Sequence, residues 1–152
     1  FQDQSGSDIV VPSYLQPAGY VVAPLLTAVS TYASTEYPGF PAPSATDGNY
    51  VYTAWISGQF PPSWIEIDLG WIKNLVAIRL TPAQSPGGPV THYIYAGNSP
   101  SPMTLVQTIS ENGDDLEPFA MSLGPVWARF VRITTLSSPS WVGWREIEVY
   151  GY

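Results

Sequence analysis

The sequence contains no cysteine and a single histidine, His92. Zinc sites built from cysteines or histidine clusters, and iron–sulfur sites, are therefore excluded. Lysine and arginine total five against twelve aspartates and glutamates, a formal net charge of −7. Nucleic-acid binders and proteins of anionic membrane surfaces carry basic patches, so this charge balance opposes both functions. No run of about 18 apolar residues occurs, and we predict no transmembrane helix.

Aromatic residues and proline are abundant instead. Aromatics make up 14% of the 152 residues, prolines number 16, and charged residues make up only 11%. This composition is typical of a loop-rich β protein. The length fits one domain that buries roughly 70% of its unfolded surface. The chain starts at Phe1 rather than Met, and we expect a processed protein that is secreted or displayed at the cell surface.

The most regular stretch of the sequence is 62–70, PSWIEIDLG. Ile65, Ile67 and Leu69 alternate with polar or aromatic residues, so one face of a strand there is aliphatic. Such a face must be covered by a second layer, which predicts a sandwich.

The same alternation recurs along the chain between turn signals, and no helical period appears. We predict about eight strands, at 25–33, 63–69, 72–81, 90–96, 105–109, 119–123, 128–136 and 144–150. The short connections favour antiparallel pairing, and Asn112-Gly113 predicts a hairpin turn. Residues 36–44 and 82–89 are predicted loops because proline and glycine recur there. Residues 1–22 are predicted to be an arm, laid on the domain or shared with a neighbour, and 23–152 the sandwich domain.

Six motifs in series resemble the discoidin family, which includes the C-type domains of coagulation factors V and VIII and the carbohydrate-binding modules of family 32. They are ATDGN (45–49), TAW (53–55), PPSWIEIDLG (61–70), YIYAGNS (93–99), ARFVRI (128–133) and WREIEVYG (144–151). The resemblance covers about residues 25–152. It implies an all-β fold, an eight-stranded antiparallel jelly-roll β-sandwich like a galactose-binding domain. It also implies a non-catalytic binding module of secreted or surface proteins.

The segment 47–53 offers oxygen ligands of the kind that calcium prefers. In the family, a similar loop faces the last strand and binds a structural calcium. Carried over by position, Asp47 and Glu146 supply carboxylates and Thr53 a hydroxyl or carbonyl, while Ser44, Asn49 and Arg145 supply mainly carbonyls. The alternative is an Asx-turn, in which Asp47 and Asn49 bond to their own backbone and Gly48 takes a positive φ. The loop is one residue longer than the commonest family spacing.

Trp141 is the main candidate for contact with a glycan. In sugar-binding relatives, the loop before the last strand often presents an aromatic ring, which stacks on the apolar face of a pyranose. The alternative for Trp141 is packing over the end of the sandwich, and Trp144 is expected to point inward. Tyr52 and Phe60 are further aromatic candidates. Gln84, Ser85 and His92 flank a second loop that supplies polar contacts in relatives, although PAQSPGGPV lacks the arginine and asparagine that suit galactose. His92 alternates with Val90 and Ile94, which favours a half-buried strand histidine.

Catalysis has little support in the sequence. Glu66 and Asp68 share a strand face and could form a glycosidase pair, but solvation or bonding to the next strand is the more common outcome. We expect Asp114, Asp115 and Glu117 to form a solvated turn.

Two functions stay open. The first is a calcium-stabilised carbohydrate-binding and adhesion module with a glycan or polysaccharide partner. The second is a structural protein of a surface, filament or virion that assembles through protein contacts, including the N-terminal arm.

Overall fold

The computed structural model describes residues 8–11, 21–101 and 103–152, almost entirely as antiparallel β-structure. Within this part the strands are β1 (Asp8–Val11), β2 (Val21–Pro24), β3 (Ser30–Ala33), β4 (Trp55–Ile56), β5 (Ser63–Pro82), β6 (Gly88–Gly97), β7 (Thr104–Gly113), β8 (Phe119–Ser137) and β9 (Gly143–Gly151). One 3₁₀ helix, Ala42–Thr46, interrupts the proline-rich loop. In the described residues, no helix is long and apolar enough to cross a bilayer.

Two long strands, β5 and β8, run through both layers of the sandwich. They pair antiparallel from Ser63 opposite Thr135 to Leu80 opposite Phe119, with register shifts between Asp68 and Lys73 and again near Leu75. The first half of β5 lies in a layer of order β3–β5–β8–β6–β7, and its second half lies in a layer of order β8–β5–β9–β4. The predicted antiparallel sandwich is therefore confirmed.

The sequence predicted strand breaks after residue 69 and after residue 123. The structure shows continuous strands at both places. The ranges 63–69 and 72–81 both belong to β5, and 119–123 and 128–136 both belong to β8. Gly70 adopts a φ of +82°, which a residue with a side chain rarely takes, and it lies at the bulge. A bulge re-aims a strand without ending its pairing, which is why one strand serves both layers.

The aliphatic face predicted for 63–69 forms the centre of the core. Ile65, Ile67 and Leu69 are 0%, 1% and 3% exposed. They belong to one cluster with Leu75 and Ile78 from the other half of β5. Each such side chain contributes about 2 kcal/mol by leaving water, so this strand anchors both layers.

The opposite face of the first half of β5 carries two ion pairs, whose carboxylates are largely buried and whose arginines are partly exposed. Glu66 accepts hydrogen bonds from Arg132 at 2.7 and 2.9 Å, and Asp68 accepts two from Arg129 at 2.7 and 2.8 Å. The Arg129 bonds hold the pKa of Asp68 below its usual range. Both carboxylates are thus bonded to the next strand, as in the structural alternative to a glycosidase pair.

Two predicted boundaries were wrong. Within the predicted strand 25–33, only Ser30–Ala33 forms a strand, and Leu25 makes a single bridge to Tyr150. The residues predicted as a hairpin turn, Asn112 and Gly113, end β7 and pair with Pro89 and Gly88. A turn follows in which the Glu117 N–H donates to the Asp114 carbonyl at 3.2 Å, and it leads to β8, which pairs with β5 and β6 rather than with β7.

The arm predicted at 1–22 lies largely outside the described residues. In the described part, β1 pairs with β2. Ala23 is fully buried and packs with Ala77 and Tyr150 on the outer face of the β5–β9 layer. The boundary predicted at residue 22 therefore falls inside β2.

Candidate functional site

A cleft of about 420 Å³ lies at the end of the sandwich where four connecting segments meet. The segments follow β4, β5, β7 and β8. The residues that line it include Phe60, Gln84, Ser85, Asp115, Trp141 and Arg145. Three of the five predicted ligand residues, Trp141, Gln84 and Phe60, are thus brought together by the fold.

Trp141 packs against Tyr37 and is partly exposed. Its ring centre lies 5.4 Å from that of Tyr37, and the side chain is 41% exposed. The next residue anchors the loop, because the Val142 N–H donates to the Gln59 carbonyl at 3.1 Å and the Val142 carbonyl accepts from Ser57. Trp141 therefore packs as in the structural alternative, and the exposed part of its side chain lines the cleft. Trp144 is 1% exposed, as expected.

Gln84 supports the loop rather than projecting from it. Its side-chain amide donates to the Gly113 carbonyl at 3.1 Å and to the Pro86 carbonyl at 3.4 Å, and the residue is 7% exposed. Ser85 beside it is exposed, and its N–H donates to the Ser140 hydroxyl. Phe60 is 62% exposed on the facing segment.

Asp115 and Arg145 form the polar wall of the cleft. The Arg145 Nε and Nη2 donate to the two carboxylate oxygens of Asp115 at 2.8 and 2.9 Å. These bonds hold the pKa of Asp115 below its usual value. The solvated turn predicted for Asp115 was therefore wrong, because this side chain faces β9. No local signal links two residues thirty positions apart, and only the fold pairs them.

The other two predicted ligand residues lie away from the cleft opening. Tyr52 is 86% exposed in the loop after Asn49. His92 is 4% exposed beneath the cleft, where its Nδ1 is 2.8 Å from the Thr135 hydroxyl. Burial lowers the His92 pKa to about 4. His92 is therefore a buried histidine of strand β6, as its alternation with Val90 and Ile94 favoured.

The segment 47–53 curls through hydrogen bonds of its own. The Asp47 carboxylate accepts from the Asn49 N–H at 2.9 Å and from the Thr53 hydroxyl at 2.7 Å. The Asn49 side-chain oxygen accepts from the N–H groups of Val51 and Tyr52, and Gly48 has a φ of +81°. These are the bonds of the Asx-turn alternative.

Glu146 lies against this turn as a buried carboxyl group. It is 3% exposed, and its Oε2 has no hydrogen-bond partner in the described part of the chain. Burial, with repulsion from Asp47 and Glu148, raises the Glu146 pKa to about 8. The N–H groups of Gly48 and Asn49 offset part of this shift. Glu146 therefore lies close enough to the 47–53 turn for the Asp47 charge to affect its pKa.

The remaining predicted metal ligands have separate places. Ser44 belongs to the 3₁₀ helix, three residues before Asp47. The Arg145 side chain points to the cleft, and its Nη1 donates to the Val51 carbonyl at 2.9 Å. Arg145 therefore connects the 47–53 loop to the cleft wall. In the described residues, no three His, Cys, Asp or Glu side chains converge as a metal site, so any cation would depend on carbonyls and hydroxyls as well.

Comparison with known proteins identifies relatives of the whole sandwich. A family model described as the F5/8 type C domain matches residues 26–148. No curated protein matches the sequence. Among solved structures, chitosan-binding module 1 of a chitosanase/glucanase from Paenibacillus sp. IK-5 is 26% identical, with a TM-score of 0.71 over 83% of this chain and 97% of that one.

Two further structures have the same fold. The family 32 module of AlyQ, solved with 4,5-unsaturated mannuronic acid, is 24% identical over 82% of this chain and 96% of that one, with a TM-score of 0.72. A family 89 glycoside hydrolase from Clostridium perfringens is 26% identical over 83% of this chain but only 14% of its own length, with a TM-score of 0.72.

Proposed function

Because the chain belongs to the F5/8 type C (discoidin) family, we propose that it is a non-catalytic carbohydrate-binding module of a secreted or cell-surface protein. The observation that carries this proposal is the cleft in which the partly exposed Trp141 lies with the polar pair Asp115 and Arg145. Apolar clefts with a few convergent polar groups are the usual form of a small-ligand site. The 26% identical chitosan-binding module supports the proposal from an independent direction.

Trp141 and Phe60 supply the apolar contact in this proposal. An aromatic ring stacks on the C–H face of a pyranose and excludes water from it. Gln84 holds the floor of the cleft, and the Asp115–Arg145 pair orients the sugar hydroxyls. A module of this kind binds weakly and gains from several copies, since tethering makes the second contact intramolecular. Such binding serves adhesion of a parent protein to polysaccharide.

Affinity electrophoresis through gels containing different polysaccharides tests the proposal. The wild-type chain should be retarded by at least one glycan, and Trp141→Ala should lose most of that retardation. Trp127→Ala is the matched control, because Trp127 is 65% exposed on β8, away from the cleft. Failure of a broad panel of glycans to retard the wild type in the presence of calcium would refute the proposal. Equal loss in both variants would remove Trp141 from the site.

The family also implies a structural calcium, and we include one at the 47–53 loop. Asp47 and Glu146 would hold it through carboxylates and Thr53 through its hydroxyl or carbonyl, with carbonyls of Ser44, Asn49 and Arg145. The unpartnered Glu146 oxygen supports this assignment. Calcium would offset the repulsion between Asp47 and Glu146 and fix the loop. It has no role in a reaction.

A second candidate function is assembly through protein contacts. Trp71 is 76% exposed and Ile72 54% exposed at the bulge of β5, and Trp127 lies on the neighbouring strand. Exposed apolar residues in one region mark interaction surfaces more often than isolated ones do. Light scattering after size exclusion tests this function, since a monomer at every concentration would exclude self-assembly.

A further inference from the structure

We propose that Asp115 and Arg145 contact the glycan directly and make the cleft select sugars with hydroxyl or amino groups over sugars with carboxylates. This inference rests on the proposed glycan-binding function and names the class of glycan. Neutral hexoses, N-acetylhexosamines and glucosamine belong to the accepted class. Uronates are rejected.

The first step of the argument is the occupancy of the Arg145 guanidinium. An arginine carries five N–H donors in a fixed planar fork. Here Nε and Nη2 bind Asp115 at 2.8 and 2.9 Å, and Nη1 binds the Val51 carbonyl at 2.9 Å. Two donors remain. The Nε and Nη2 donors, which could otherwise bind a carboxylate of a ligand side by side, are therefore occupied by the Asp115 carboxylate.

The second step is the exposure of the pair. The Arg145 side chain is 22% exposed and that of Asp115 35% exposed, and both line the same cleft as Trp141. The pair presents two N–H donors and the remaining lone pairs of a carboxylate. Adjacent donors and acceptors match neighbouring hydroxyl groups of a sugar, or a hydroxyl beside an amine, because each of those groups can take either role.

The third step is the charge around the cleft. Each of the four arginines has an acidic partner, in the pairs Arg79–Glu148, Arg129–Asp68, Arg132–Glu66 and Arg145–Asp115. The single lysine, Lys73, is nine residues from the cleft end of β5, or about 30 Å of extended strand. That distance is nearly four Debye lengths of about 8 Å at physiological salt, so Lys73 does not neutralise a ligand in the cleft.

The nearest unpaired charges are acidic. Asp114 and Glu117 are exposed in the same turn as Asp115, and the Asp114 carboxylate lies against Gly87 of the loop that forms one side of the cleft. A uronate would meet these carboxylates, and it could bind the Nε and Nη2 edge of Arg145 only by displacing Asp115. An ammonium group would meet them favourably.

The experiment compares oligosaccharides of equal length by isothermal titration calorimetry at low salt. The probes are oligomers of glucosamine, of N-acetylglucosamine and of mannuronate. The wild type should bind at least one of the first two at least tenfold more tightly than the mannuronate oligomer. Asp115→Asn removes the carboxylate that occupies the Nε and Nη2 donors of Arg145. This variant should bind mannuronate at least tenfold more tightly than the wild type does.

Asp114→Asn is the matched control, because it removes the same charge from the adjacent residue and leaves Arg145 paired. The ratio of its affinity for the glucosamine or N-acetylglucosamine oligomer to its affinity for the mannuronate oligomer should stay within about twofold of the wild-type ratio. The double variant Asp115→Asn/Arg145→Gln should lose the gain in mannuronate binding. Arg145→Gln alone leaves Asp115 as a free carboxylate, and it should raise the ratio of glucosamine to N-acetylglucosamine affinity at least threefold. This variant tests the proposal even if Asp115→Asn does not fold.

Several results would overturn the proposal. They are a wild type that binds mannuronate as tightly as the other probes, an equal shift in Asp114→Asn and Asp115→Asn, and a gain that persists in the double variant. An unchanged amino-sugar ratio in Arg145→Gln would also overturn it. A wild type that binds none of a broad glycan panel refutes the proposed function instead, and the selectivity falls with it.

Discussion

Acidification should destabilise this protein through its single histidine. His92 has a pKa of about 4 in the folded chain because it is buried, against 6.5 for an exposed histidine. Between pH 6.5 and pH 4, His92 therefore binds a proton in the unfolded state but not in the folded state. The contribution of His92 to stability is full above pH 6.5 and falls as the pH drops towards 4. At 1.36 kcal/mol per pKa unit, the loss attributable to His92 is roughly 3 kcal/mol by pH 4.

The surroundings of the ring support this sign. The described contacts of the ring are the Thr135 hydroxyl and the aromatic rings of Phe119 and Trp144. Its Nε2 is buried without a partner in the described part of the chain. Protonation would place a charge and a second N–H where no acceptor lies. Removing the ring's ability to ionise should therefore remove this part of the acid sensitivity.

The assay is urea unfolding of the wild type and His92→Gln at pH 4 to 7, followed by tryptophan fluorescence. His92→Gln should be less stable at pH 7, because the glutamine loses ring packing even where its amide keeps the Thr135 contact. Between pH 7 and pH 4 the wild type should lose roughly 3 kcal/mol more than the variant. Other groups titrate in both proteins and cancel in the difference. Parallel curves, or a histidine NMR titration midpoint near 6.5, would refute the reasoning.

Three further results are expected. Calcium should raise the melting temperature of the wild type, and Glu146→Gln should lose most of that shift, since a ligand of the native state stabilises it by mass action; an equal shift in both proteins, measured by calorimetry, would contradict the metal assignment. Glu66→Ala should lower the free energy of unfolding by about 2 kcal/mol, because it leaves Arg132 without its buried partner; chemical denaturation measures this, and a loss near zero would mean that solvent screens the pair. If the chain self-associates, Trp71→Ser should lower the mass measured by light scattering, whereas an unchanged oligomer would place the contact elsewhere.

Local pattern was sufficient to predict the interior of the strands. Alternation placed Ile65, Ile67 and Leu69 in the core, and it placed Glu66 and Asp68 together on the other face. The same pattern did not show that β5 and β8 each continue through a bulge. Glycine in a strand is compatible with both a turn and a bend, and the choice depends on whether a neighbouring strand keeps pairing across it.

The candidate site was predictable only where its residues belong to recognisable loops. The resemblance to sugar-binding relatives pointed to the loops of Trp141 and Gln84, and Phe60 was predicted as an aromatic residue of a neighbouring loop. Tyr52 belongs to a similar loop, but its side chain does not line the cleft. Hydrogen bonds among Asp47, Asn49 and Thr53 fix the conformation of this loop. The amino-acid composition alone does not predict which of these bonds form.

The sequence by itself determined the two-layer β architecture, the aliphatic core and the acidic character of the surface. These properties depend on residue type and on contacts near in sequence, or on sums over the whole chain. Only the tertiary structure decided that Asp115 meets Arg145 in the cleft, that His92 loses contact with solvent, and that Glu146 keeps one oxygen without a partner. Each of these depends on which distant strands lie side by side, and the same residues in another register would have been solvated charges and an ordinary histidine.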